Sequence, residues 1–202
     1  FSVGAAAFRK KIMGYLSVDF VVHERGAKDR SLRLWAVDLD LCLSTNAAVH
    51  QYIELVTGAR FDPETGSAMM AATSLRPEQP LSYIYSGLIY NPYIGAIRHS
   101  PFFNDCRKRG LSFDLDMKTG VLFHLVDTLL KGCLGAVCIS SSYSQCVTLL
   151  SEVQQLVQSE IAKDAESILE SNYGYFVAAV KHLAMRNISE KKGDKRSRHQ
   201  AL

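Results

Sequence analysis

The sequence predicts an α+β protein built from two modules, on three observations. Residues 15–23 and 32–43 alternate between apolar and polar positions and are joined only by the short polar run 24–31. The second half follows the order strand, helix, strand, strand, helix, which suggests a small ferredoxin-like α/β sandwich. The chain has 202 residues, 48% of them hydrophobic, enough for one large core or two small ones.

Residues 5–13, AAAFRKKIM, read as the end of a helix stopped at Gly14. YLSVDFVVH (15–23) places Leu16, Val18, Phe20 and Val22 on one side. Tyr15, Ser17, Asp19 and Val21 fall on the other. LRLWAVDLDLCL (32–43) is a second strand, with Asp38 and Asp40 opposite Trp35, Val37, Leu39 and Leu41. The connection is too short for a parallel crossover, so the two strands form an antiparallel hairpin. Asn46 caps the next helix, whose apolar side is Val49, Tyr52, Ile53 and Val56, and Gly58 ends it. Residues 59–66 are rich in turn formers, and SAMMAATSLRPEQP (67–80) reads as a linker.

In the second half YIYSGLIY (83–90) is a strand. SPFFNDCRKRG (100–110) is a short helix with Ser100 as N-cap. TGVLFHLVD (119–127) and CLGAVCIS (133–140) are strands. A long helix begins near 142, with Cys146, Leu149, Leu150, Val153, Leu156, Val157 and Ile161 at helical spacing. Residues 173–187 form a further helix. The expected organisation is a first module over 1–66, the linker 67–80, a small α+β domain over 81–187, and a disordered basic tail over 188–202.

Charge supports that last boundary. The formal net charge is +3, and residues 190–202 carry all of the excess, so the folded body is neutral. The tail reads as a solvated end, not a nucleic-acid or membrane patch, because no aromatic residue interleaves with its charges. The five cysteines are odd in number and lie in apolar segments without a CxxC pair. They read as buried free thiols in a reducing, cytoplasmic compartment, not as a zinc site. No apolar run is long enough for a membrane span. Phe1 stands in mid-pattern, so the chain reads as part of a longer protein.

Asp38 and Asp40 raise the functional question. On a strand, residues two apart face the same way, about 6.6 Å apart at Cα. With Asp19 on the paired strand, three carboxylates can converge on one face. Like charges about 7 Å apart at an effective dielectric near 20 repel by roughly 2 kcal/mol. A hard divalent ion reverses that sign, and Mg²⁺ typically takes one or two carboxylates, leaving its other positions to water and phosphate. The plainer reading is a solvated face. His124 inside TGVLFHLVD reads as a hydrogen-bonded core or edge residue, and Ser140–Ser142 as a helix cap, since no glycines stand at P-loop spacing.

GYLSVDFVV followed by LWAVDLDLCLSTNAAVHQYIELVTGARFDPETG resembles the C-terminal half of an ATP-grasp domain. The group it resembles holds the pheganomycin peptide ligases and their eukaryotic relatives of the IQ motif-containing protein H type. YIYSGLIYNPYIGAI and SFDLDMKTGVLFHLVDTLLKGCLGAVCIS resemble the small domain that follows ATP-grasp in the same group. The similarity covers about residues 10–160. In that group an acidic strand precedes a strand of the form acid-x-Asn-x-Arg, and these positions hold the magnesium ions that bridge the ATP phosphates. Asp19 matches the first acid and Asp38 the second. Asp40 stands in place of Asn, and Cys42 in place of Arg. His50 is displaced from the group's histidine and is not carried over.

The resemblance implies ATP and Mg²⁺ as cofactors, Asp19, Asp38 and Asp40 as metal ligands, and the upstream half of the same polypeptide as a structural partner. It implies either a Mg-ATP-binding domain with degenerate catalysis, or an active ATP-dependent carboxylate–amine ligase acting through an acyl phosphate. The missing arginine points to the first reading. The chain carries no IQ motif, so calmodulin binding has no support in this segment.

Overall fold

The computed structural model describes residues 2–24, 32–62, 64–161 and 170–199. The chain divides into two compact units, residues 1–55 and 56–202. The division falls earlier than the expected linker, because residues 67–80 hold two strands.

The first unit begins with α1 (Ser2–Arg9) and continues into a two-stranded antiparallel ribbon, β1 (Ser17–Glu24) and β2 (Leu32–Asp40). The hairpin expectation therefore holds. The register shifts once, between Asp19 and Phe20: Asp19 pairs with Asp38, but Phe20 pairs with Ala36. Val37 is the extra residue of a β-bulge. The bulge reverses the alternation of β2. Leu39 pairs with Val18 and Leu34 with Val22 on one face, while Trp35 pairs with Val21 on the other. Trp35 therefore shares the face of Asp38, where simple alternation put it opposite. Its ring lies 4.4 Å from that of His23, which is on the same face. Both faces remain largely open, with Leu34 63% and Trp35 60% exposed.

Helix α2 (Thr45–Thr57) spans the division. Its start is capped by Ser44, whose hydroxyl accepts the Ala47 N–H at 3.2 Å, so Asn46 lies inside the first turn instead of at the cap. Gly58 ends it in the left-handed region at φ 66°, as the sequence predicts.

The second unit starts with the hairpin β3 (Ala59–Asp62) and β4 (Ser67–Met70), and β5 (Gln79–Pro80) adds to β4. One residue later the Leu81 N–H donates to the Ala68 carbonyl at 2.8 Å, and the chain passes into β6 (Ser82–Tyr85). Residues 79–85 are thus one bent run whose first part pairs with β4 and whose last part pairs with β9 (Cys133–Ser140). β7 (Ile89–Tyr90) and β8 (Gly120–His124) also pair antiparallel with β9, which is the central strand.

Helix α3 (His99–Lys108) connects the two sides of β9, and α4 (Tyr143–Glu160) follows it. Ser142 caps α4 by accepting the Gln145 N–H at 3.3 Å. Ser100, by contrast, lies within the first turn of α3, where the N-cap is Arg98.

Phe102 and Cys106 of α3, Leu150, Val153, Leu156 and Val157 of α4, and Val121, Leu134, Ala136 and Cys138 of the sheet form one buried cluster. Each fully buried aliphatic side chain contributes about 1.5–3 kcal/mol by leaving water. The strand order explains how far the ferredoxin-like expectation goes. The order β6, α3, β8, β9, α4 follows strand, helix, strand, strand, helix, with the short β7 between β6 and α3, and α4 is followed by no further strand among the described residues. Asn172 instead bonds to the chain at β7 and just before it. Its N–H donates to the Tyr90 carbonyl at 3.2 Å, and its Oδ1 accepts the Tyr90 N–H at 2.7 Å. Its Nδ2 donates to the Leu88 carbonyl at 2.8 Å.

Helix α5 (Tyr173–His199) then packs Tyr173, Val177 and Val180 into the core. It runs on through 188–199, where the charge pattern predicts a disordered tail. Lysine, arginine and glutamate are good helix formers, and an already packed first half supplies the costly nucleus. Residues 200–202 of the expected tail lie outside the described residues. Among the described residues no helix is long and apolar enough to cross a membrane.

Candidate functional site

Asp19 and Asp38 are directly paired across the β1–β2 ladder, and Asp40 pairs with Ser17 one step along the same face. The ladder therefore assembles the three acids that the sequence singled out at one end of one ribbon face. All three are exposed. Asp38 turns one oxygen back to its own strand, where Oδ1 accepts the Leu39 N–H at 2.8 Å. The ion pairs among the described residues, His50–Glu54 and Lys108–Asp105, leave all three acids without a cationic partner.

The donor set suits magnesium in chemistry but not as a closed cage. Among the described residues no three Asp, Glu, His or Cys side chains are gathered closely enough to hold a metal ion. The register brings the three acids to one face, but their side chains do not form a gathered set. Like charges opposite one another on a ladder repel. What the face presents is a carboxylate pair, which fits an ion that takes one or two protein oxygens and completes its octahedron with water and phosphate.

Cys42 is exposed, two residues beyond Asp40. A thiol cannot supply the forked cationic donors that an arginine offers to phosphate. His50 lies on α2 at 3.6 Å from Glu54. Sequence reasoning missed the bulge at Val37, which turns Trp35 to the acidic face, against His23. Only the pairing partner reveals it, since no glycine marks the position. Around the bulge Val3, Val18, Ala36, Val37, Asp38 and Leu39 line a shallow cavity of about 380 Å³.

The remaining titratable groups lie elsewhere. Ser140–Ser142 do cap α4, as the sequence suggests, and the Ser140 and Ser141 hydroxyls donate to Gln145 Oε1. Burial pushes the thiols of Cys106 and Cys146 up to about 11 and about 12, and that of Cys138 higher still, so none is a nucleophile near neutrality.

Residues 1–64 match the family described as IQCH-like, ATP-grasp. A stretch of 160 residues, 79% of the chain, is 23% identical to IQ motif-containing protein H of Danio rerio. That stretch amounts to 15% of the relative's length. No solved structure matches the chain.

Proposed function

From the premise that residues 1–64 are an ATP-grasp-like segment of the IQCH-like kind, we propose that they form part of a Mg-ATP-binding domain. Catalysis in it has given way to nucleotide sensing or scaffolding. The observation that carries the reading is the Asp19–Asp38 pair with Asp40 beside it, exposed and without an ion pair among the described residues. Such a face gains from a divalent ion that arrives with its own phosphate ligands. Asp19 and Asp38 would hold the ion, with Asp40 as the third acid beside them. Magnesium, when bound, neutralises phosphate charge.

Cys42 supports loss of catalysis, because the position lacks the cation that the resemblance expects next to the phosphates. The retained acids support the other reading, an active carboxylate–amine ligase acting through an acyl phosphate. The apolar residues exposed on both ribbon faces support a structural partner, the upstream half of an ATP-grasp domain on the same polypeptide.

The test uses the full-length protein. Calorimetric titration with Mg-ATP, compared with ATP in chelator, should show binding that needs the metal, and Asp38→Ala should abolish that metal-dependent binding. Absence of metal-dependent binding to the wild type would overturn the proposal. Release of ADP with any acid and amine pair would favour the ligase.

A further inference from the structure

His124 occupies an unusual place. It ends β8 opposite Gly135 of β9, and its ring fills the space that a side chain at Gly135 would need. Across the central strand it stacks on Tyr85 of β6, with centroids 5.1 Å apart and planes at 20°. Two side chains from strands that do not pair thus meet over a glycine. This arrangement has a cost: the His124 Nε2 is buried with no hydrogen-bond partner.

A neutral imidazole can leave one nitrogen lone pair buried at modest cost. An imidazolium carries two N–H donors and needs an acceptor for each. The Tyr85 ring offers attraction to a cation but no acceptor in line with Nε2. The titratable groups on the same sheet face are Cys133 of β9 and Tyr83 and Tyr85 of β6, and the following turn carries Asp127 and Lys131. None of them offsets the burial, which by itself lowers the histidine below its ordinary value of 6.5.

We propose that His124 is an acid-sensitive latch: neutral, it closes the sheet face over Gly135, and protonated, it swings to water and frees Leu122–His124 from β9. Gly135 has no side chain to fill the space left behind, so the departure uncovers both the central strand and Tyr85. The latch belongs to the second unit and stands independently of nucleotide binding.

The sign follows from linkage. A base whose folded value is depressed contributes stability that is complete above the unfolded value near 6.5. That contribution is lost as pH falls toward the folded value. The experiment is imidazole NMR and amide exchange on the whole chain from pH 7.5 to 5. His124 should titrate below 6.5. Over the same range the protection factors of Leu122–His124 should fall by about tenfold per pH unit, down to the folded value. His124→Phe keeps a ring over Gly135 and should abolish that dependence while preserving protection at pH 7.5. Titration of wild-type His124 at or above its ordinary value overturns the latch, whether or not the variant folds. So does an equal pH dependence of these amides in both proteins.

Discussion

Asp19 and Asp38 face each other directly across the β1–β2 ladder, one carboxylate opposite the other, and neither forms an ion pair among the described residues. Like charges in that position destabilise a hairpin by roughly 0.2–1 kcal/mol. Asp38→Asn should therefore stabilise the metal-free protein by a similar amount in urea denaturation with chelator. In the full-length protein with Mg-ATP the same change should lower the melting temperature, because the ligand's stabilisation is lost. A variant that is less stable in both conditions would show that Asp38 serves the fold and not a metal.

Thiol labelling should separate the cysteines by burial. A maleimide at pH 7.5 should modify exposed Cys42 first and half-buried Cys133 more slowly. Cys106, Cys138 and Cys146 should react only after denaturant is added, since they are buried and protonated. Rapid native labelling of Cys146 would contradict the packing of α4 on the sheet.

The turn before β8 should be acid-sensitive. Asp114 accepts the backbone N–H groups of Met117 and Asp116, each at 2.8 Å, and these hold its carboxyl below the ordinary value of 3.8. A depressed carboxyl contributes stability that is complete above its unfolded value and is lost as pH falls through the folded one. Carboxyl NMR should find Asp114 titrating below 3.8. Asp114→Ala should speed amide exchange at Met117 and Asp116 near neutrality and remove that step from the acid limb.

Core and surface leucines should differ sharply. Leu156 is fully buried in α4, whereas Leu130 is exposed. Leu156→Ala should cost about 2–5 kcal/mol through lost transfer energy and a residual cavity. Leu130→Ala should stay within about 0.5 kcal/mol. Denaturant midpoints with unchanged slopes check both.

Arg76 is a buried guanidinium that donates to the Ala71 carbonyl at 2.9 Å and the Met117 carbonyl at 3.0 Å. Its removal strands two carbonyls, so Arg76→Ala should cost on the order of 1–3 kcal/mol. Arg76→Lys should not restore the loss, since one ammonium cannot serve both carbonyls in the planar geometry of the fork. Full rescue by lysine would show that charge alone matters there.

Much of the fold was legible because its signals are local. Alternation in 15–23 and 32–43 located the ribbon, and helical spacing from Cys146 to Val157 located the core face of α4. Ser142 and Gly58 marked helix ends through their own chemistry. The linker reading of 67–80 failed for a physical reason. β4 and β5 are short, and β5 ends in Pro80, so neither has enough period to reveal itself. Their pairing with each other, and Leu81 with Ala68, stabilises them. The α5 extension beyond residue 187 was illegible from charge, because composition does not register that a helix already nucleated upstream can continue.

The sequence by itself placed Asp38 and Asp40 on one face, since the period of a strand is two, and the register kept them there because its bulge falls at Val37. It also determined that α4 buries one side; its reading of all five cysteines as buried thiols holds for Cys106, Cys138 and Cys146 but not for exposed Cys42 or half-buried Cys133. Tertiary structure alone decided that Asp19 stands opposite Asp38, that Val37 bulges and turns Trp35 to the acidic face, and that His124 lies over Gly135 against Tyr85. The physical reason is range. Side-chain direction along one element follows from local backbone geometry, whereas register, bulges and contacts over a glycine depend on which partner strand arrives and where it is held.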